Sequence, residues 1–361
     1  MDKIKLIDIC NPKQWKTIAT SQLLDNGKFP VYGANGIIGY YNEFNHEDTT
    51  VLITCRGATC GNVHISIPKS YINGNAMALD NLNEKICLKE YLYYFLNYYD
   101  MTKIISGSAQ PQITIQGLKK IYVKIYSIEE QKNIIKVLNK IKKVIDLKEK
   151  QVTSLDNIIK SQFVEMFGDI KNDDFDNSQI KDLVDTNIIK TKKKFKKNDV
   201  IKYIDISSIN NIKNEIIGFT EYKIGEEPSR AQQCLVKGDI LISTVRPNLK
   251  NIAVNYYNDE NIIGSSGFCV LRPNKCELEY LLSVVKSEKF TNDMVAKTTG
   301  ANYPAIHSTD ILNYEIAVPP IELQNQFADI VKQIDKQKFE IENSLKEMQE
   351  LYESLMEKYF G

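Results

Sequence analysis

The sequence is poor in the residues on which most catalytic and disulfide-linked sites depend. Its 361 residues include three histidines, one tryptophan and, among 46 basic residues, only four arginines. The seven cysteines are an odd number and form no Cys-x-x-Cys pair. In a chain long enough to bury a large core, this pattern argues against a disulfide framework and predicts reduced, mostly buried thiols.

Long hydrophobic runs and a net charge are also missing. No stretch of about 18 consecutive apolar residues occurs, and the first residues lack the apolar segment of a signal peptide. We therefore expect a soluble, cytoplasmic protein with no membrane partner. Because 46 acidic residues balance the 46 basic ones, the sequence excludes a uniformly basic chromatin-type protein but permits a local basic surface. The length favours two domains.

An internal repeat organises the chain. A gapless match at an offset of 193 residues places 107–168 over 300–361. A repeat of this kind indicates a duplicated architecture. The identical pairs include Gly107/Gly300, Pro111/Pro304, Ile113/Ile306, Ile128/Ile321, Glu129/Glu322, Gln131/Gln324, Ile141/Ile334, Ser161/Ser354, Phe167/Phe360 and Gly168/Gly361.

Both copies of the repeat contain a long helical pattern. Apolar residues recur at alternating steps of four and three over 134–166 and again over 327–359, which is the heptad spacing of a coiled coil. Lys148 and Gln162 interrupt the first seam, and Lys338 interrupts the second. Neither segment contains proline or an internal glycine, and each ends in Phe-Gly, whose glycine can cap a helix.

We predict that the two helices pair antiparallel. The intervening segment leaves the end of the first helix and must return the chain to the start of the second, because compact domains usually keep their ends close together. Residues 128–167 carry eight lysines and six acidic residues, whereas 321–361 carry five lysines and nine acidic residues, so opposite net charges favour the pairing. The alternative is two unrelated helices whose seams face their own domains.

The regions that precede the two helices resemble each other. Both contain β-branched runs separated by Gly, Asn and Pro, such as TVLITC at 50–55 and DILISTV at 239–245, and Arg56 and Arg246 follow these runs. Further similar segments are YINGNAMAL at 71–79 and IIGSSGFCVL at 262–271. We predict an α+β fold with two similar mixed, strand-rich domains joined by a long antiparallel two-helix coiled coil, related by a pseudo-two-fold axis.

Several segments carry a family resemblance. They are VYGANGIIGYY at 31–41, LITCRGATCGNV at 52–63, GSAQPQIT at 107–114, IEEQ at 128–131, FGD at 167–169, ILISTVRPNLKNIAV at 240–254 and VPPIELQNQFADIV at 318–331. In this order, with long helices after each strand-rich region, they resemble the specificity subunits of type I restriction-modification systems. The resemblance covers nearly the whole chain. Each motif alone is moderately specific, and the ordered set is strong.

The resemblance implies a non-catalytic DNA-binding subunit. Two target-recognition domains, at 1–127 and 169–320, would each read half of an asymmetric bipartite sequence in double-stranded DNA. Helices at 128–168 and 321–361 would space these domains and dock two methyltransferase (modification) subunits. Restriction and translocase subunits would complete the complex. S-adenosylmethionine, ATP and Mg²⁺ would bind to partner subunits, and this chain would hold no cofactor.

Arginines and lysines are the first candidates for DNA contact. Arginine bonds guanine O6 and N7 bidentately, so a lysine-rich protein with arginine at the equivalent positions 56 and 246 favours base contact there, although a structural ion pair is the alternative. The lysine run at 190–197 suits phosphate contact or a solvated loop. Trp15, between Lys13 and Lys16, fits a domain anchor as well as a DNA contact.

Asparagine and glutamine side chains suit adenine edges, and several lie in the loops that precede the two helices. Asparagine beside glycine fits turn chemistry equally well. The predicted DNA-binding residues are Lys13, Trp15, Lys16, Asn35, Arg56, Thr59, Asn62, Asn75, Gln110, Gln112, Lys192, Lys193, Lys194, Lys196, Arg246, Asn248, Lys250, Ser265, Ser266, Asn302, Tyr303 and His307.

Metal and nucleotide sites are weakly indicated. The spacing Cys55-x4-Cys60-x3-His64 lacks the Cys-x-x-Cys pattern and a fourth ligand of a zinc site. The glycines of GANGIIG at 33–39 fit turns better than a phosphate loop, because no helix is predicted after them.

Catalysis by this chain is not expected. Asp205 with Glu221 and Lys223 only faintly resembles a metal nuclease site, and no Asn- or Asp-Pro-Pro-aromatic tetrapeptide of adenine methyltransferases occurs. Two alternatives stay open: a coiled-coil adaptor that joins two protein-binding modules without nucleic acid, and a nuclease built on Glu221.

Overall fold

The chain folds as two compact units. The computed structural model describes residues 2–34, 36–107, 110–168, 170–172, 174–300 and 304–361. Unit 1 comprises Met1–Lys150 and Glu342–Gly361, and unit 2 comprises Gln151–Ile341. Each unit therefore contains one strand-rich region together with parts of two long helices.

Two of the helices are 40 residues long and the others are short. The helices are α1 (Leu6–Ile9), α2 (Lys89–Tyr98), α3 (Ile115–Leu118), α4 (Ile128–Phe167), α5 (Ile180–Leu183), α6 (Thr191–Lys194), α7 (Leu278–Lys286), α8 (Glu288–Ala296), α9 (Ser308–Leu312) and α10 (Ile321–Phe360). A capping box begins α4: the Ser127 backbone N–H donates to Glu130 Oε2 (3.0 Å), and the Glu130 N–H donates to Ser127 Oγ (3.3 Å).

Unit 1 contains a four-stranded and a three-stranded sheet. Its strands are β1 (Asp2–Lys5), β2 (Asn11–Gln14), β3 (Phe29–Gly33), β4 (Gly36–Tyr41), β5 (Val51–Thr54), β6 (Val63–Ile65), β7 (Tyr71–Ile72), β8 (Ala76–Asp80), β9 (Ile105–Ser106), β10 (Gln112–Ile113) and β11 (Tyr122–Ile125). The larger sheet has the order β2-β8-β5-β6 and the smaller the order β4-β3-β7, with β1-β11 and β9-β10 as separate pairs.

Unit 2 is built in the same way around two four-stranded sheets. Its strands are β12 (Asn177–Gln179), β13 (Val184–Asp185), β14 (Val200–Ile204), β15 (Ile209–Asn210), β16 (Glu215–Ile216), β17 (Thr220–Lys223), β18 (Ala231–Cys234), β19 (Ile240–Ser243), β20 (Ile252–Val254), β21 (Ile262–Ser265), β22 (Phe268–Pro273) and β23 (Glu315–Ala317). The sheets have the orders β17-β14-β21-β18 and β13-β22-β19-β20, with β12-β23 and β15-β16 as pairs.

Strand pairing confirms that the two strand-rich regions are similar. In unit 1, β3 pairs parallel with β7 and β5 pairs antiparallel with β8. In unit 2, β14 pairs parallel with β21 and β19 pairs antiparallel with β22. The segments compared in the sequence therefore form corresponding strands.

The heptad seams of both long helices are buried as predicted. Each apolar seam position of α4 and α10 is buried or half-buried. In unit 1, Ile134 and Leu138 near the start of α4 share a core with Phe360 at the end of α10. In unit 2, Phe167 at the end of α4 shares a core with Phe327 near the start of α10. The helices therefore run antiparallel within each unit.

The last aromatic residue of each long helix packs into the strand-rich region of the other half of the chain. Phe167 packs edge-on against Tyr280 with ring centres 4.9 Å apart, and Phe360 lies 5.4 Å from the ring of Tyr91. The hydroxyls of Tyr91 and Tyr280 donate to the carbonyls of Lys124 (2.6 Å) and Ala317 (2.7 Å). Those two carbonyls are themselves related by the 193-residue offset.

The caps and interruptions of the helices have local causes. Gly168 adopts a φ of +70°, the left-handed conformation that ends a helix and favours glycine. Lys338, which breaks the seam of α10, forms an ion pair with Asp156 of α4 at 2.8 Å within unit 2. A polar residue at a seam position thus has a charged partner on the facing helix.

Candidate nucleic-acid interface

The first arginine loop, residues 55–62, leaves the buried strand β5 and is held from two sides. The Cys55 carbonyl accepts a hydrogen bond from the Ile113 N–H (3.1 Å), and Arg56 forms an isolated antiparallel bridge with Gln112. Arg56 and Gln112 are both exposed. Within the part of the chain that the structure describes, no side chain forms an ion pair with the Arg56 guanidinium. The structure therefore brings two of the predicted contacts together.

The turn between β3 and β4 supports the other side of this loop. The Thr54 hydroxyl donates to the Ala34 carbonyl at 3.0 Å, and the Thr59 hydroxyl donates to the same oxygen. The glycines at 33–39 thus belong to a hairpin, as predicted, and β4 follows where a phosphate loop needs a helix. Thr59 ties two loops together through its hydroxyl.

The second arginine loop, residues 244–251, leaves β19 in the same manner. The Thr244 carbonyl accepts from the Ile306 N–H (2.9 Å), and the Arg246 N–H donates to the Pro304 carbonyl (2.8 Å). Ile306 and Ile113 are equivalent in the 193-residue repeat. The same backbone joint between an arginine loop and a pre-helix loop therefore occurs once in each unit.

Two residues of the second arginine loop adopt a conformation that is costly for them. Arg246 and Lys250 both have a φ of +50°, in the left-handed region, on either side of the 3₁₀ turn Pro247–Leu249. Such strain in a residue other than glycine persists only where the surroundings enforce it, and it concentrates at functional sites. The Lys250 ammonium pairs with Glu288 of α8, while Asn248 is exposed.

The lysine cluster lies at the start of unit 2 on and after α6. Lys192, Lys193 and Lys196 are exposed, whereas the exposed Lys194 donates its ammonium to the Glu260 carbonyl (2.7 Å). Thr191 is buried and anchors this short helix. Three cationic side chains are therefore available to solvent on one short segment.

Trp15 is part of a polar cluster of unit 1. Its Nε1–H donates to Asp80 Oδ2 (3.1 Å), and its ring packs edge-on against His46 with centres 5.2 Å apart. The Lys13 ammonium lies 3.6 Å from the centre of the indole ring. Trp15 is thus a domain anchor that also holds a cation at the surface, while Lys16 is exposed.

The remaining predicted contacts divide by exposure. Ser265 is 2 % exposed and its Oγ accepts from the Gly267 N–H (3.2 Å), so it stabilises a turn and we leave it out of the contact set. Asn75 is half-buried beside Cys55. The exposed residues are Gln110, Ser266 and His307, and Asn62 is half-buried. Asn35, Asn302 and Tyr303 lie outside the described residues.

The structure offers little support for a metal or catalytic site. Among the described residues, no cluster of three or more His, Cys, Asp or Glu could hold a metal ion. Gln14 Nε2 donates to Cys55 Sγ (3.0 Å), and burial raises the pKa of the Cys55 thiol. Asp205 caps a 3₁₀ turn by accepting from the Ser208 N–H (3.1 Å), which gives it a structural role. The described helices include none that is both apolar and long enough to span a bilayer.

The sequence did not single out three side chains that organise these loops. Gln131 and Gln324 are almost fully buried, and their identity at the repeat offset was the available signal. Arg272 follows the pattern expected of a structural ion pair, because it forms two bonds of 2.8 and 2.9 Å to buried Asp239. No sequence pattern distinguished it from Arg246.

The family model described as type I restriction modification DNA specificity domain matches two stretches of the chain, residues 1–157 and 172–351. The chain belongs to this specificity family. The predicted resemblance is therefore confirmed. Which residues of a family member touch DNA is not part of that match, so the contact set above stays a prediction.

Relatives of this specificity-family chain include three curated specificity subunits. The type I restriction enzyme MjaVIII specificity subunit of Methanocaldococcus jannaschii is 23 % identical over 337 residues, which are 84 % of this chain and 78 % of that protein. The MjaIX specificity subunit of the same organism is 26 % identical over 314 residues, 78 % of this chain and 70 % of that one. The EcoprrI specificity subunit of Escherichia coli is 30 % identical over 112 residues, 31 % and 27 % of the two chains.

Two solved structures share the fold. The crystal structure of a type I restriction-modification S subunit from M. genitalium matches with a TM-score of 0.59 and 15 % identity, over 100 % of this chain and 96 % of that one. A chain from a structural study of assembly and conformational transition in a type I system matches with a TM-score of 0.55 and 15 % identity, over 99 % and 97 %. These matches confirm the predicted fold class.

Proposed function

We propose that this chain is the DNA-specificity subunit of a type I restriction-modification complex, in which each strand-rich region reads one half of an asymmetric bipartite target. The observation that carries the proposal is the joint between an arginine loop and a pre-helix loop. It occurs once in each unit, with a backbone hydrogen bond to the equivalent residues Ile113 and Ile306. Family membership supports the same assignment.

The chemistry of the two loops fits base recognition in duplex DNA. A guanidinium on a fixed backbone can donate two parallel hydrogen bonds to guanine O6 and N7, and the neighbouring Gln112 can pair with an adenine edge. The exposed lysines at 192, 193 and 196 supply phosphate contacts that position the protein without reading sequence. Because the loops of the two units differ in sequence, the two half-sites differ as well.

The role of this chain is to bind and orient DNA for its partners. The long helices space the two recognition regions and dock two methyltransferase subunits, and restriction and translocase subunits join the full complex. Those partners bind S-adenosylmethionine, ATP and Mg²⁺ and carry out adenine methylation and DNA cleavage. We place the assembled complex in the cytoplasm.

Mapping methylated adenines tests this function most directly. Cells that carry this chain with its methyltransferase subunits should show one bipartite methylated motif. When residues 168–320 are exchanged for the corresponding region of another specificity subunit, one half of that motif should change and the other should stay. If the exchange changes both halves or neither, the assignment of one half-site to each region is wrong.

Binding measurements separate the proposal from its alternative. The assembled complex should prefer its own target in a salt-dependent manner. Equal binding to every duplex at moderate salt would contradict the specificity role. If the complex assembles and binds no duplex at any salt concentration, the chain is a coiled-coil adaptor for protein modules.

A further inference from the structure

Gln131 and Gln324 occupy equivalent positions in the first turns of α4 and α10. Their side chains are almost completely buried, with 0 % and 1 % of their surface exposed. A buried primary amide is unfavourable unless its carbonyl and amino groups are hydrogen-bonded. The partners that satisfy these two amides show what they hold in place.

Gln131 connects α4 to two other segments of unit 1. Its Oε1 accepts from the Leu88 N–H (2.8 Å), and its Nε2 donates to the carbonyls of Ile86 (2.8 Å) and Tyr126 (2.9 Å). Leu88 is the N-cap residue of α2, and no side chain of its own caps that helix. The glutamine therefore ties the start of α2 and the chain before α4 to the long helix.

Gln324 makes the corresponding connection in unit 2. Its Oε1 accepts from the Glu277 N–H (2.9 Å), and its Nε2 donates to the Pro319 carbonyl (2.8 Å). Glu277 is the N-cap residue of α7, which again makes no side-chain cap of its own. In a capping box, a Glu or Gln of the same helix accepts this N-cap N–H. Here the amide comes from a different helix, in both units.

We propose that Gln131 and Gln324 are positioning residues that fix the angle between each recognition region and its own long helix, and so restrict the spacer length that the complex accepts between half-sites. Apolar packing is non-directional, so a helix can tilt on an apolar surface at little cost. A hydrogen-bonded amide is directional and holds one orientation. This inference rests on the proposed function of the chain.

Spacer selectivity is the measurement that tests the role. Gln131→Met and Gln324→Met keep the length of the side chain and remove its hydrogen bonds. Each variant, assembled with its methyltransferase subunits, is offered a plasmid library in which the two half-sites are separated by spacers of every length near the native one. We expect methylation at spacers one base pair longer or shorter to rise about tenfold relative to the native spacer, with half-site sequences unchanged.

Exposed neighbours on the same helices provide matched controls. Asn133→Met on α4 and Gln326→Met on α10 alter exposed positions two residues away, and should leave spacer selectivity as it is in the unaltered complex. A merely structural role would lower the melting temperature and the overall methylation rate without widening the spacer range, and that result would overturn the proposal. Absence of sequence-specific methylation by the unaltered complex would instead reject the proposed function itself.

Discussion

Arg56 and Gln112 face each other in an isolated antiparallel bridge just beyond the end of β5. The bridge and the neighbouring bond from Ile113 to Cys55 fix the backbone beneath an exposed guanidinium. A side chain on a fixed backbone loses less conformational entropy when it binds. The arrangement suits an arginine that must meet one base in one geometry.

Replacing Arg56 by lysine should weaken base discrimination while keeping the charge. We expect Arg56→Lys to lose about 1–3 kcal/mol of discrimination at one base pair of one half-site, because lysine cannot form the bidentate pair. Competition binding with targets substituted base by base would measure this. An equal loss on every duplex would assign Arg56 to the phosphate backbone.

Replacing Arg246 by glycine should separate stability from recognition. Glycine adopts the left-handed φ of +50° at little cost, so the free energy of unfolding should stay the same or rise by up to about 1 kcal/mol. Discrimination at the other half-site should fall. Lys250→Gly is the matched control, because it relieves similar strain outside the pair of equivalent arginines. If Arg246→Gly retains full discrimination, this arginine is structural.

The lysine cluster should determine part of the salt dependence of DNA binding. Each of Lys192, Lys193 and Lys196 that neutralises a phosphate should add roughly 0.9 to the steepness of log K against log salt, so its removal should make the slope shallower by that amount. Alanine substitution of the three, measured by titration of the assembled complex at several salt concentrations, would test this. Lys194→Ala should have less effect, since its ammonium is bound to a carbonyl. An unchanged slope would make the cluster a solvated loop.

Arg272 should stabilise unit 2 rather than read DNA. Its partner Asp239 has no exposed side-chain surface, so Arg272→Met leaves a buried carboxylate without its counter-ion and should cost about 3–5 kcal/mol. Thermal unfolding would measure this loss. The exposed pair Lys171–Glu315 is the control, and Lys171→Met should cost about 0–1 kcal/mol. Similar losses for both variants would contradict the assignment.

His64 should make unit 1 sensitive to mild acid. Burial lowers the pKa of its imidazole below the ordinary value, so the folded protein binds this proton less readily than the unfolded chain does. Stability is therefore lost as the pH falls through the unfolded pKa of about 6.5. We expect His64→Leu to reduce the drop in melting temperature between about pH 7 and pH 5.5, and His307→Ala, at an exposed position, to leave it unchanged.

The long helices were predictable from the sequence because their signal is local. A heptad needs only a few neighbouring turns, and glycine at 168 marks the end of α4 by its conformational freedom. The similarity of the two strand-rich regions was also visible, since the repeat offset aligns their flanking loops. The pairing of Arg56 with Gln112 was not, because an alternating pattern identifies strands without naming their partners.

The roles of the arginines and glutamines depended on the same non-local information. Arg246 and Arg272 both adjoin apolar strands, and only the antiparallel register of β19 with β22 sets Arg272 near Asp239. Trp15 could be an anchor or a surface contact, and its bond to Asp80 makes it an anchor that still carries Lys13. Burial of a polar side chain such as Gln131 is decided by what packs around it.

The exchange of aromatic ends between the halves has a genetic consequence. Unit 1 includes Glu342–Gly361, and Phe360 packs against Tyr91 and Phe95. A nonsense or frameshift mutation after codon 341 would spare every residue of unit 2 and remove part of the core of unit 1. Damage at the 3′ end of the coding sequence would therefore impair the region encoded at its 5′ end.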